Sequence, residues 1–428
     1  MGSVFPDRKA LILVIVASLG YFVDIYDLIL FNIVKSDSLE YIKALHSLDF
    51  DVKKEGIFLF NMQMFGMLVG GILWGILGDK KGRITVLFGS IFLYSFANLA
   101  NAFTTDLTFY AVIRFIAGVG LAGELGAGIT LVAETLHKEK RGYGTMIIVT
   151  FGALGAVLAT QVADKGAWMS DIIYSISEYR LQNWQVAYVV GGLLGLVLLL
   201  LRAGTLESGM FRSLKDSKVK KGNFMILLSS KKNFLKYLKC ILIGIPIWFI
   251  IGVPIALSSE YFAEAIGVPG ISRPTAIMYA YIGLSVGDLI SGLISQFLKS
   301  RKKVVYIYLT SSVILLLVFF YGMQGASHSM FYFVCFLLGC ATGYWAIFVT
   351  ISAEQFGTNI RSTVTNTVPN FVRGTVPLIT LSFTALIPSF DAIGAALIVG
   401  GTCIAVAFWA AWSIKESFSE DLDYVEEC

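Results

Sequence analysis

Apolar residues come in long runs separated by short polar stretches along nearly the whole chain. The runs fall at 10–34, 54–78, 84–103, 107–136, 141–163, 184–203, 235–258, 275–298, 303–323, 328–354, 360–386 and 390–413. At about 1.5 Å per residue, each is long enough to cross an apolar layer of roughly 30 Å as a helix. The pattern predicts an all-α integral membrane protein of twelve transmembrane helices. The first run is longer than the core of a signal peptide and leads into an acidic pair instead of a small-residue cleavage site, so it is read as a retained helix.

Composition points the same way. Of 428 residues, 56% are hydrophobic and 14% charged, where soluble domains carry about 25% charged residues. A water-exposed surface cannot be covered with so few charges. The net charge of +4 does not mark a nucleic-acid-binding face, because the Lys and Arg residues gather in a few short connections: Arg8 and Lys9, Lys80 to Arg83, Lys138 to Arg141, and Lys299 to Lys303. An even number of crossings puts both termini on one side. Placing that side in the cytoplasm puts most of the basic residues inside, as the positive-inside rule requires, and the lean loops suit a bacterial inner membrane. The basic stretch 204–234 divides six helices from six, giving a bundle over 1–203, a cytoplasmic linker, and a second bundle with a short tail over 235–428.

Cys240, Cys335, Cys340 and Cys403 lie in apolar runs without a CxxC or Cys/His cluster, so neither a metal nor a cofactor is expected. His46 and His328 fall near the outer ends of helices and His137 near an inner end, so any proton relay has to use carboxylates. No Walker A sequence is present to use ATP.

The halves echo each other. Ala133-Glu134, followed seven residues on by Arg141, recurs as Ala353-Glu354 followed by Arg361, and Gly123 and Gly343 keep the same offset. Gly75 to Asp79 before a basic cluster is mirrored by Gly292 to Gln296 before Arg301. Six-helix repeats with a site between them are common in secondary transporters.

The segment Gly75-Ile-Leu-Gly-Asp79-Lys80-Lys81-Gly82-Arg83 matches the cytoplasmic loop motif Gly-x-Leu-x-Asp-Arg/Lys-x-Gly-Arg, and on it the chain resembles the major facilitator superfamily. Helix four adds Arg114-x-x-x-Gly118-x-Gly120-x-x-Gly123-Glu124, which is similar to the metabolite:proton symporter and the sugar and organic-acid porter branches. Trp184-Gln185 departs from the Trp-Arg pair those branches carry before helix six. The resemblance implies two pseudo-symmetric six-helix bundles, no enzymatic activity, and a conformational gate at Gly75, Asp79, Gly82, Arg83, Glu134, Arg141, Glu354 and Arg361. It also implies that an acid on helix one works with Arg114.

Ionisable groups inside a bilayer are costly and usually functional. Asp24 and Asp27 are three residues apart and share a helix face. They lie about 21 to 25 Å along helix one, a depth that coincides with Arg114, about 10 Å from the opposite surface. The expectation is that one of them pairs with Arg114 and that protonation releases the Arg; the alternative is a permanent salt bridge. Glu124 is a second proton site, a ligand for a cationic group, or a packing hydrogen bond. Tyr21, Asp288, Tyr344, Trp345, Asn370 and Arg373 are the candidate substrate contacts, with Arg373 as partner for an anionic group or, alternatively, for Asp288. The reading is a monomeric symporter of protons and a small organic anion or zwitterion, embedded in lipid and without nucleic acid as partner. The runner-up is a proton-driven exporter of drugs, siderophores or other metabolites.

Overall fold

The computed structural model describes residues 8–136, 141–178, 180–202 and 222–426. Among the described residues, eleven helical stretches are long and apolar enough to cross a membrane. The last, Arg361–Ser413, has 53 residues and contains two crossings: Asp391 takes φ 55 and ψ −179, a left-handed conformation that ends one helix and turns the chain back. Its Oδ1 accepts a hydrogen bond from Gly394 N at 2.8 Å, capping the final helix. Twelve crossings result.

The helices are α1 (Arg8–His46), α2 (Val52–Lys81), α3 (Arg83–Ala102), α4 (Leu107–Leu121), α5 (Glu124–Thr135), α6 (Arg141–Lys165), α7 (Ala167–Ser177), α8 (Asn183–Leu201), α9 (Lys231–Ile250), α10 (Arg273–Leu298), α11 (Arg301–Leu317), α12 (His328–Thr342), α13 (Trp345–Glu354), α14 (Arg361–Gly374) and α15 (Val376–Ser413). The first eight form one bundle and the rest a second. The face where α2 ends, α3 begins and residues 414–426 lie is here called the tail face, and the opposite one the far face. Part of the 204–234 linker lies outside the described residues; Ile226–Ser229 makes one helical turn before α9.

Two boundaries differ from the hydropathy reading. Helix α1 runs on to His46 instead of ending at 34, because the segment after Lys35 is amphipathic: Leu39 and Ile42 are buried, Tyr41 meets the Trp184 ring at 5.7 Å, and Ser38 bonds the Tyr110 hydroxyl at 3.2 Å. Low mean hydropathy hides such a helix; its buried face does not. The short α7 on the far face is likewise too brief and mixed to stand out as a span.

Two crossings are broken at matching places. The fourth divides into α4 and α5 at Ala122-Gly123 and the tenth into α12 and α13 at Gly343-Tyr344, the two glycines of the repeat. A break frees backbone groups that in lipid need partners. Trp74 Nε1 takes the Val119 carbonyl at 2.6 Å, and Asp288 Oδ1 accepts from Ala346 N at 2.9 Å at the start of α13. Helix α9 is distorted by Pro246 and Pro254. Beyond Ile250 it widens into i→i−5 turns, with Ala256 N on Ile251 O at 3.0 Å and Ala263 N on Ser258 O at 2.8 Å, since a proline cannot make the ordinary helical bond.

Asp391→Ala keeps the left-handed backbone but loses the cap, and its expected cost is about 1 kcal/mol. Asp391→Asn retains both and stays near the parent. Thermal unfolding in detergent separates the two.

Candidate functional site

On the tail face the two bundles are held shut by α14 against α2 and α5. A Cβ on Gly75 would sit 2.7 Å from Thr363 Cα, and one on Gly126 would sit 2.6 Å from the Asn366 side-chain carbonyl carbon and backbone nitrogen. Only glycine permits so close an approach. Asp79, at the end of α2, accepts from Ser362 N at 3.0 Å, Thr363 N at 2.9 Å and Thr363 Oγ1 at 2.7 Å. Its negative charge therefore meets the positive end of the α14 dipole across the bundle interface. Gly82 adopts φ 106, which turns the chain so that Arg83 can point inward.

Arg83 joins Glu134 at 2.8 Å and approaches Asp79 at 3.6 Å. Arg361, from the other bundle, joins the same Glu134 oxygen at 3.1 Å. All four side chains are buried, so two guanidinium groups are balanced by two carboxylates in a place where an unmatched charge costs several kcal/mol. The second bundle repeats half of this arrangement, with Arg301 on Glu354 at 3.0 Å. Glu134 thus pairs with Arg83 and Arg361, and Glu354 with Arg301. Arg141 begins α6, but its side chain lies outside the described residues.

The tail fastens the same corner. Leu422 O accepts from Arg361 Nη2 at 2.5 Å and from Thr358 Oγ1 at 3.0 Å, and Thr358 N bonds Tyr424 O at 2.8 Å. Burial raises the Glu416 carboxyl, but hydrogen bonds from Ser300 and from the backbone N–H groups of Arg301, Phe418 and Lys302 outweigh it and hold the group below the usual glutamate range.

Toward the far face a cavity of about 220 Å³ lies between α1 and α2 on one side and α9, α10 and α15 on the other, with Asn32, Phe60, Trp248, Tyr261, Tyr281 and Thr380 in its wall. Trp248 also covers the candidate anion site. Arg373, 1% exposed, lies 5.7 Å from the Trp248 ring and 5.4 Å from the Trp345 ring. Its Nη1 donates to Asn370 Oδ1 at 3.2 Å, while Nε and Nη2, like Trp345 Nε1, have no hydrogen-bond partner. Asn370 in turn donates to Ala122 O at 2.9 Å, so the broken fourth crossing anchors the residue that orients Arg373. Tyr21 lies within electrostatic reach of Arg373, Asp24 and Asp288.

The expected pairings among the embedded charges are not those formed. Arg114 makes no ion pair among the described residues; its Nη2 donates to Gln63 and its guanidinium lies 4.3 Å from the Phe31 ring. Gln63 and Phe31 make the short-range contacts of Arg114 in place of an ion pair with Asp24 or Asp27, while Arg114 stays within electrostatic reach of Asp27, which lies against Asn98. Glu124 is bound by Arg202, at Oε1 by Nη2 and at Oε2 by Nη1 at 2.9 Å. Asp288 caps α13 instead of pairing with Arg373. Tyr344 donates to Ile243 O at 2.9 Å and is a packing residue, while Trp345 faces the guanidinium. Sequence reading missed Arg202, which closes a span and merges into the basic linker, and Trp248, which is buried in an apolar run; only the two nearby prolines hinted at the latter.

The chain belongs to the Major Facilitator Superfamily, whose profile matches residues 17–375. Among curated relatives it is 28% identical to the putative niacin/nicotinamide transporter NiaP of Bacillus subtilis over 47% of this chain and 46% of that one. It is 24% identical to the sialic acid transporter NanX of Escherichia coli over 75% and 73%. The match to the first curated relatives therefore spans about half their length or less. Among solved structures, the proton:xylose symporter XylE shares the fold with a TM-score of 0.74 at 16% identity, over 97% of this chain and 98% of that one. The fucose:proton symporter FucP of E. coli does so at 0.72 and 16%, over 95% and 99%.

Gly75→Leu cannot pack against Thr363, so the tail face is expected to open. In a cysteine-depleted background, a cysteine replacing Thr130, which bonds Thr365 at 2.6 Å in the closed interface, should label several-fold faster from the tail side; an unchanged rate contradicts a closed gate at Gly75. Because the Glu416 carboxyl is held low, its contribution is fully present above the ordinary glutamate value of about 4.3 and is lost as pH falls through the lower folded value. Protease susceptibility of residues 414–426 should accordingly rise only below about pH 4, and in Glu416→Gln it should be high at neutral pH.

Proposed function

We propose that the chain is a secondary transporter that carries a small organic anion inward together with protons, by alternating access. The observation that carries this reading is Arg373: a buried guanidinium between two indole rings, beside a cavity, with two nitrogen atoms unpartnered and no carboxylate within ion-pair distance among the described residues. A carboxylate fits that fork in a bidentate manner, and an adjoining ring or apolar group packs on Trp248 and Trp345. Relatives whose names specify niacin, sialic acid, 3-(3-hydroxy-phenyl)propionate and benzoate support the choice, since each is a carboxylic acid. The two structural neighbours named as proton symporters support the drive.

In this reading the tail face is cytoplasmic, the membrane is a bacterial inner membrane, and the protein works as a monomer. The bundles, 1–203 and 235–428, rock about the 204–234 linker. The conformation is outward-facing: the cavity addresses the far face while Asp79, Arg83, Glu134 and Arg361 close the other. Two acids on one helix, Asp24 and Asp27, neither in an ion pair among the described residues, are expensive when charged in an apolar layer. Proton binding removes that cost, so the energetics of the first bundle depend on the proton gradient. Export of a cation finds less support, because the acid in the cavity wall, Glu260, is already bound to Arg273 at 2.8 Å.

Uptake into proteoliposomes under an imposed pH gradient, with a panel of aromatic and aliphatic carboxylates beside neutral and cationic analogues, tests the reading. A carboxylate should accumulate, and Arg373→Gln should slow its uptake by about 10- to 100-fold, the equivalent of losing a charge-assisted hydrogen bond of roughly 1.5–3 kcal/mol. Arg373→Lys should recover little, because the ammonium cannot form the fork. Accumulation of a neutral or cationic solute, indifferent to Arg373, would sink the proposal.

A further inference from the structure

The first bundle contains a second polar feature that the cavity does not share. On α3, Tyr94, Asn98 and Asn101 follow the i, i+4, i+7 spacing of one helix face, Ser95 adjoins it three residues before Asn98, and all four are fully buried. Among the described residues the Tyr94 and Ser95 hydroxyls and both amide atoms of Asn101 have no hydrogen-bond partner, and the Asn98 amide has the Asp27 carboxyl as its one polar neighbour there. So many unmatched polar atoms in one seam would cost several kcal/mol in a dry interior. Glycines on α8 make the room. A Cβ on Gly191 would meet Asn98 Nδ2 at 3.3 Å and the Tyr26 ring at 2.9 Å, and one on Gly195 would collide with Ser95.

The seam connects to the embedded acids in order. Asn101 stands one residue before the far-face end of α3. Asn98 lies beside Asp27, and Tyr94 is within electrostatic reach of Asp24, Asp27, Glu124 and Arg202. The Glu124–Arg202 pair forms the floor, in space left open by Gly20, one turn below Asp24. Asp24 is the junction: it feels Asp27, Glu124 and Arg202 from the first bundle and Arg373 from the second. None of these residues borders the cavity. On α1 the cavity wall uses Ile29, Asn32 and Lys35, which begin about 7.5 Å along the helix beyond Asp24; Lys35 is only about 20° around the helix from Asp24, so the separation is one of depth and not of face.

We propose that the seam between α1, α3 and α8 is a water-binding proton conduit, running from Asn101 past Asn98 to Asp27 and Asp24, and separate from the path of the substrate. The waters bridge the unmatched amides and hydroxyls, each with the two to four polar partners that buried water requires. A proton passes along them to Asp27 and then to Asp24, where it meets the Arg373 that holds the anion. Proton and substrate thus enter by different doors and interact only at Asp24 and Arg373. This rests on the proton-coupled reading above, and the two can fail separately.

The test combines radiolytic hydroxyl labelling, which marks side chains next to bound water, with two transport assays on the full chain. In the parent, Tyr94 should be labelled well above Tyr344, an equally buried tyrosine whose hydroxyl is bonded within the protein. In Asn98→Leu/Asn101→Leu that labelling should vanish. The same variant should lose accumulation driven by a pH gradient while keeping solute counterflow, which needs no net proton movement. Asn98→Ser, which keeps a polar partner, should retain both, and thermal unfolding of each variant controls for misfolding. Tyr94 labelling no higher than that of Tyr344 would overturn the proposal, as would equal loss of accumulation and counterflow in a well-folded double variant. Gradient-independent uptake in the parent would instead overturn the proton-coupled reading, while Tyr94 labelling would still decide whether the seam holds water.

Discussion

In an apolar layer every polar group needs a partner, and the structure depends on how that requirement is met at the contact between Asp79 and the first turn of α14. Two backbone N–H groups and one hydroxyl from one bundle converge on a single carboxylate from the other. Everything nearby serves the approach: the glycines of α2 permit it, Gly82 turns the chain behind it, and Arg83 supplies the countercharge. The Glu134 pairings with Arg83 and Arg361 then extend the closure sideways. These contacts join one bundle to the other, so their free energy bears on how the halves are held together more than on the stability of either bundle alone.

The same requirement separates the two halves by chemistry. In the second bundle most polar groups are satisfied: Asp288 caps a helix, Tyr308 bonds Gly287 O at 2.7 Å, and Arg373 stands out with its unmatched nitrogens. In the first bundle the unmatched groups are numerous and lie away from the cavity. Pseudo-symmetry of backbone therefore carries an asymmetric distribution of charge. Matching breaks at Gly123 and Gly343 place an acid, Glu124, at one and an aromatic pair, Tyr344 and Trp345, at the other.

How much of this was legible beforehand follows from the range of each interaction. The crossings were readable because lipid imposes a length on every one of them, and the gap between the last two apolar runs falls next to Asp391, which supplies the break. The residue types at the tail-face gate were readable because a short loop motif fixes Asp79, Gly82 and Arg83 within five positions. The partners of the embedded charges were not. Matching depths brought Arg114 within electrostatic reach of Asp27, but depth says nothing about close contacts, and Gln63 and Phe31 take the guanidinium at short range. Arg202 was hidden because its charge at the end of a span looks like any other positive-inside residue. The helical extension of α1 was missed because a window average discards the phase that buries Leu39 and Ile42.

Several of the closing contacts share one more property. Asp79 reads the amides of residues 362 and 363, Asn370 reads the carbonyl of Ala122, and Arg83 reads that of Thr358. In each case a side chain on one strand of the gate grips main chain on the other. Main-chain groups are the same whatever residue carries them. The gripping side is therefore held to a single residue type while the gripped side is free to drift, and a comparison of sequences that looks for paired substitutions across this interface would find few, however tightly the two halves are joined.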